Sequence, residues 1–283
     1  MSYDGGEPLD SSGLRAGAGP VRGGLVAPGR VGSPGGPALI AVAHGSRDPR
    51  SAATMTAVIA DVAQQHPGLD VRLAFLDLNT PSAEQVIDAV AAQGHREIVV
   101  APLLLGSAFH ARVDLPGVLA SARARHPRLR LIQADVLGPD TLLITALRER
   151  VLATGSDPND DTLGVAVAAV GSSSAEANRR TRTLGSLLAA GTAWRTAVCF
   201  ATTEPSLPQA ISALHALECT RFVVAPWFLA PGLLTDRLVT AAPHVTHAEP
   251  LGSHGLVAKV VAQRYETAVR HLRVRSDSDI AVA

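Results

Sequence analysis

Ala38-Leu39-Ile40-Ala41-Val42-Ala43-His44-Gly45-Ser46 decides how this chain is read. Six apolar residues run without interruption into a His-Gly-Ser turn. A strand with one wet face alternates polar and apolar positions. This one does not, so both its faces are covered, as in a parallel sheet packed between helices. Downstream the pattern alternates. A helix is expected over 51–65, a strand over 71–76 and a second helix over 81–93, with Ser82 as N-cap and Gln85 at the capping-box position. Strands over 97–103 and 129–134 and helices over 115–125 and 139–152 follow. Strand–helix alternation of this kind implies an α/β fold with a parallel sheet covered by helices.

After a Gly-Ser-Asp-Pro-Asn-Asp-Asp stretch at 155–161, read as a linker, the order repeats. Strands are expected over 165–170, 196–201 and 222–228, and helices over 206–217 and 253–272. The two halves also match residue by residue. Pro81-Ser82, Gln85, Ile87 and Ala89 match Pro205-Ser206, Gln209, Ile211 and Ala213 at a constant offset of 124. Val99-Val100-Ala101-Pro102 matches Val223-Val224-Ala225-Pro226 at the same offset. A repeat this long excludes a short-period solenoid and implies two tandem α/β domains from an internal duplication. The expected organisation is a Gly- and Pro-rich disordered leader over 1–37, a first domain over 38–154, a second over 162–273 and a flexible tail over 274–283.

Where the copies differ, chemistry has been lost from the second. His44 corresponds to Val170 and His110 to Leu234. In open parallel sheets ligands bind beyond the carboxyl ends of the strands. His44 follows the first strand and His110 lies in the loop after the third. A strand order of 2-1-3-4 makes those strands neighbours and turns both imidazoles toward one cleft. Neutral imidazole suits Fe2+, Co2+, Ni2+ and Zn2+, and two nitrogens leave most positions on the ion open. A structural site would be closed by four ligands. Arg47, Arg50 and Arg112 flank the pair and suit carboxylates, so the cleft is expected to take an anionic ligand. By spacing alone, two loop histidines making ordinary hydrogen bonds remain an equal reading. Ser46 does not sit in a nucleophile elbow and is read as capping the following helix.

The totals exclude other classes. Lys+Arg and Asp+Glu are both 25, so there is no basic excess for nucleic acid. Aromatic residues are 3%, so the core is aliphatic. The two cysteines, Cys199 and Cys219, form no disulfide framework or zinc knuckle and are read as buried. No signal peptide or membrane-length apolar run is visible, so a cytoplasmic location is expected. No Gly-x-x-x-x-Gly-Lys-Ser/Thr loop is present.

His44-Gly-Ser-Arg-Asp-Pro49, together with Pro102-Leu-Leu-Leu through His110-x-Arg112-x-Asp114-x-Pro116, resembles the sirohydrochlorin chelatase family, the ATP-independent class II cobaltochelatases and ferrochelatases. The resemblance implies flavodoxin-like domains, doubled here. It also implies that a divalent metal, Fe2+ or Co2+ with Ni2+ as a third candidate, is inserted as substrate into sirohydrochlorin or a related tetrapyrrole, with no organic cofactor. The pathway would be that of siroheme or cobalamin. Family metal ligands fall on His44 and His110. Phe75-Leu-Asp77-Leu-Asn-Thr80-Pro-Ser82 resembles a stretch that carries glutamates at the places of Asp77 and Thr80. One is therefore shortened and the other neutral. Asp77 is left as the carboxylate that could accept a proton, and Ser46, Arg47, Arg50 and Arg112 as substrate contacts. A monomer with pseudo-dimeric halves is expected. Alternatives at this point are a non-catalytic metal or tetrapyrrole carrier, a phosphoryl-transfer enzyme using His44, and a regulatory role for the second half.

Overall fold

The computed structural model describes residues 36–106 and 114–280, with side chains through Val274. The first half contains β1 (Ala38–Ala43), α1 (Pro49–Gln65), β2 (Val71–Phe75), α2 (Ala83–Ala92), β3 (Glu97–Pro102), α3 (Leu115–Arg125), β4 (Arg130–Gln133) and α4 (Thr141–Leu152). The second contains β5 (Leu163–Ala169), α5 (Ala175–Ala189), β6 (Arg195–Phe200), α6 (Leu207–Ala216), β7 (Arg221–Pro226), α7 (Leu233–Ala241), β8 (Thr246–His247) and α8 (Gly255–Ile280). Each half builds one parallel four-stranded sheet, in the orders β2-β1-β3-β4 and β6-β5-β7-β8. This is the expected 2-1-3-4 order, twice. All six residues of β1 are buried, because helices cover both faces. Ser82 caps α2 in the expected reciprocal capping box with Gln85.

The halves exchange their last helices. In a self-contained unit α4 would lie beside α1 on the first sheet. Instead α4 packs against α5 and β7, and α8 crosses back onto α1, β3 and β4. Polar contacts repeat the exchange. Arg148 of α4 donates to the carbonyls of Leu187, Leu188 and Ala190 at the end of α5. Arg264 of α8 donates to Val136 O, Leu137 O and Asp140 Oδ2 at 2.9, 2.7 and 2.9 Å. The sequence copies therefore follow one another along the chain, while their last helices pack across the two sheets.

Three apolar clusters result. One lies between the first sheet and α2 and α3, and another between the second sheet and α6 and α7. The third is continuous across the molecule. It joins Leu39, Ala41 and Val99 of the first sheet with Val165, Val167 and Val223 of the second, through α4 and α8. Val257, Val260, Val261 and Leu272 of α8 are buried there. At roughly 2 kcal/mol per buried aliphatic side chain, these four stabilise the fold by up to about 8 kcal/mol. That is comparable with a whole domain's net stability, so α8 is integral.

Two segments at the expected boundaries have defined structure. The backbone stays helical to Ile280, past the start of the expected tail. The 155–161 stretch is tied to the second half, because Trp194 Nε1–H donates to Asp157 O at 2.7 Å and Arg221 pairs with Asp160 at 2.6 Å. No helix among the described residues is long and apolar enough to cross a membrane.

Candidate functional site

His44 stands one residue beyond β1, at the carboxyl edge of the first sheet. It is half-buried, with Nδ1 shielded from solvent. The hydrogen-bond ladder with β2 continues past the strand to hold it. Leu76 N–H donates to Ala43 O at 2.9 Å and Asp77 N–H to His44 O at 3.0 Å. Gly45 then turns the chain at φ +100°, and a Cβ there would stand 1.8 Å from Asp77 O. Only glycine allows both the conformation and the approach. Ser46 N–H donates to Asn79 Oδ1 at 2.7 Å, and Ser46 Oγ accepts from Asp48 N–H at 3.0 Å. Asp48, not Ser46, is the N-cap of α1. The 44–48 turn and the 76–80 loop are thus interlocked.

Asp77 is exposed at the rim of this edge, and its Oδ1 accepts from Leu78 N–H at 2.7 Å. Arg47 is also exposed. Arg50 is engaged by the protein itself. Its guanidinium lies 2.6 Å from Asp48 and 2.6 Å from Asp236, at the start of α7 in the other half. Hydrogen bonding to these two carboxylates raises the Arg50 pKa, and the Arg50 guanidinium holds Asp48 below its ordinary 3.8. Arg50 and Asp236 are each about half exposed, so solvent screens that bridge. The carboxyl edges of the two sheets therefore meet across one lip, with Asp48, Arg50 and Asp236 in contact. His110 and Arg112 lie outside the described residues. The chain heads toward them from β3, where Leu103 N–H donates to Val42 O at 2.8 Å beside the end of β1.

The second copy repeats the frame without the imidazole. Thr202 N–H donates to Val170 O at 3.0 Å, Gly171 has φ +92°, and Ser174 N–H donates to Ser172 Oγ at 3.1 Å. Val170 is 44% exposed where His44 stands in the first copy. By this hydrogen-bond register Thr202 takes the place of Asp77. Ser172 N–H is received by Asn178 of α5, whereas Ser46 N–H is received by the loop residue Asn79. Glu204 is turned to its own loop, accepting from Ser206 N–H at 3.0 Å.

Five other histidines have local partners or capping positions. His66 and His126 are C-caps of α1 and α3. His95 lies 3.1 Å from the buried Asp70, which also pairs with Arg72. His254 contacts Glu149, and His247 contacts Ala242 O. Among the described residues no three His, Cys, Asp or Glu side chains are grouped to hold a metal. Burial pushes the Cys199 thiol up to about 12, which removes it as a thiolate ligand near neutral pH. A cleft of about 690 Å³ lies at the opposite, amino edge of the first sheet, against α8, lined in part by His66, His95, Tyr265 and Arg270. It is remote from His44. Asn79 and Asp236 are the residues that the sequence reading does not single out. A turn-forming Asx beside Thr80-Pro81 and an acid in a helix's first turn are the only traces they leave.

Comparison with known proteins places this arrangement. The CbiX family model matches residues 38–154 and 164–268. The chain is 27% identical over 242 residues to a sirohydrochlorin ferrochelatase of Priestia megaterium, covering 81% of this chain and 90% of that one. It is 26% identical over 206 residues to a sirohydrochlorin cobaltochelatase of the same organism, covering 71% and 66% respectively. The fold is similar to that of SirB from Bacillus subtilis with Fe3+, at TM-score 0.72 and 24% identity, covering 83% of this chain and 96% of that one. Since the family model spans well over half of the sequence in two consecutive matches, one for each copy, the chain belongs to the CbiX family.

Proposed function

We propose that the protein is a sirohydrochlorin chelatase that inserts Fe2+ or Co2+ into the tetrapyrrole without ATP. One observation carries the reading. His44 is fixed at the carboxyl edge of β1 by an interlocked pair of loops, and the duplicate frame carries Val170 instead. The names of the relatives support sirohydrochlorin as substrate and both iron and cobalt as metals. Ni2+ remains a third candidate for an imidazole site.

In this reading His44 and His110 take over water ligands of the incoming ion and leave its remaining positions open to the ring nitrogens. Two pyrrole protons leave as the metal enters. Asp77, exposed beside His44, accepts one of them and solvent water takes the other. Arg47 and Arg112 bind the carboxylate rim of the substrate. Arg50 reaches the same rim only by giving up Asp236, and Ser46 acts chiefly by shaping the turn. The enzyme works as a cytoplasmic monomer, in siroheme or cobalamin formation.

Anaerobic metal insertion into sirohydrochlorin, followed by absorbance with Fe2+ and Co2+ in parallel, tests this. Wild type accelerates insertion over the spontaneous rate, and His44→Ala and His110→Ala each lose at least about a hundredfold. A wild-type rate equal to the spontaneous one overturns the proposal.

A further inference from the structure

Leu78 is the feature of the His44 edge that the proposed chemistry leaves unused. Its φ is 63°, in the left-handed region that leucine occupies only at a cost. Among the described residues the one other non-glycine there is Glu218, just past the end of α6, where helices commonly end in this conformation. Leu78 has no such excuse. It is 50% exposed and belongs to none of the three apolar clusters, so packing does not explain it.

Its backbone is held beside that of His44. Asp77 N–H donates to His44 O at 3.0 Å, and Asp77 Oδ1 accepts from Leu78 N–H at 2.7 Å. The duplicate loop lacks this conformation. Phe75 N–H donates to Pro81 O, and Phe200 N–H to Pro205 O, so the two loops share both ends. The second loop is one residue shorter between those ends, and it has no left-handed residue. Of the two loops, only the longer one, in the copy that carries His44, holds a strained, half-exposed leucine.

We propose that Leu78 is an apolar contact for the flat face of the tetrapyrrole beside His44, a substrate-positioning residue that rests on the chelatase reading. A conjugated macrocycle has a carboxylate rim and two apolar faces. Arginines serve the rim, and an exposed aliphatic group at a fixed place serves a face. Strain held at a site edge is a known device for positioning a ligand.

Leu78→Asn tests this, because asparagine tolerates the left-handed conformation and removes only the apolar contact. Leu78→Met restores apolarity. Leu217→Asn, which changes a 54% exposed leucine at the end of α6, is the control. Titration of metal-free sirohydrochlorin, steady-state kinetics and thermal unfolding are measured together. Leu78→Asn raises Kd and KM about fivefold, as expected for leaving part of a leucine in water. Its kcat stays within about twofold and its Tm does not fall. Leu78→Met stays within about twofold of wild type, and Leu217→Asn matches it. If Leu78→Asn lowers Tm, Leu78→Gly, suited to φ 63°, takes its place. Unchanged Kd and KM in an active, folded variant overturn the proposal and leave the chelatase reading intact. A wild type that neither binds nor metallates sirohydrochlorin overturns both.

Discussion

The carbonyl oxygen of Asp77 occupies the space that a side chain on Gly45 would need, at 1.8 Å from an ideal Cβ. The obstacle is backbone, so it cannot rotate away, and φ +100° adds a conformational cost. Gly45→Ala is expected to destabilise by on the order of 3 kcal/mol and to abolish metallation. Gly94 has φ +92° with open space around it, so Gly94→Ala is expected to cost only about 1–2 kcal/mol and to spare activity. Urea denaturation and the insertion assay on both variants check the contrast.

The Arg50–Asp236 bridge joins the two halves at an exposed lip. Exposed pairs add little stability, so Asp236→Asn is expected to leave Tm nearly unchanged. It also removes one of the two carboxylates that compete for Arg50. KM for the polycarboxylate substrate is expected to fall roughly two- to threefold at low salt, and the gain to vanish at about 0.5 M salt. Initial rates at two ionic strengths decide this. An unchanged KM at low salt would mean that Arg50 does not reach the substrate.

Asp48 contributes a defined pH dependence. The Arg50 guanidinium depresses its pKa in the folded protein below 3.8, so the folded state binds fewer protons at this site than the unfolded one. The stabilisation is therefore complete above the ordinary carboxylate range and is lost as pH falls through the depressed value. Asparagine retains the N-cap bond but carries no charge. Urea midpoints measured from neutral pH down to about 2.5 are expected to fall less steeply below about pH 4 in Asp48→Asn than in wild type.

Arg264 fastens the exchanged helix α8 to the turn before α4 through two carbonyls and the Asp140 carboxylate. Its side chain is 21% exposed and that of Asp140 16%. Removing it leaves three acceptors poorly satisfied. Arg264→Ala is expected to cost about 3 kcal/mol. Because the central core is continuous, probes placed in either half are expected to report one unfolding transition at the same urea concentration. Two separated transitions would contradict the shared core.

The strand ends are legible in the sequence because they leave local traces. An uninterrupted apolar run stops at His44, and Ser82 with Gln85 spells a capping box. The duplication is legible because its offset stays constant over the 81–102 region. The exchange of α4 and α8 is not. An apolar stripe on Leu143, Leu147 and Val151 says that α4 is buried, not on which sheet. Leu39-Ala41-Ala43 and Val165-Val167-Ala169 offer nearly equivalent surfaces. The partners of Ser46 and Arg50 were equally hidden. Asn79 reads as a turn former, and Asp236 as a complement to the α7 dipole. Asp77 and His44 are brought together by backbone bonds that no residue type announces. The half of the candidate site carried by His110 and Arg112 still rests on the motif.

The crossing of α8 sets an order of events during synthesis. The surface of β1 and β3 that receives α8 is made early, yet its cover leaves the ribosome only after Gly255. At about 5–20 residues per second, that surface waits on the order of ten seconds. Through that interval the nascent chain presents unshielded aliphatic area while α4, already made, awaits a sheet not yet translated. The half that carries the imidazole is thus the first to emerge and among the last to be sealed.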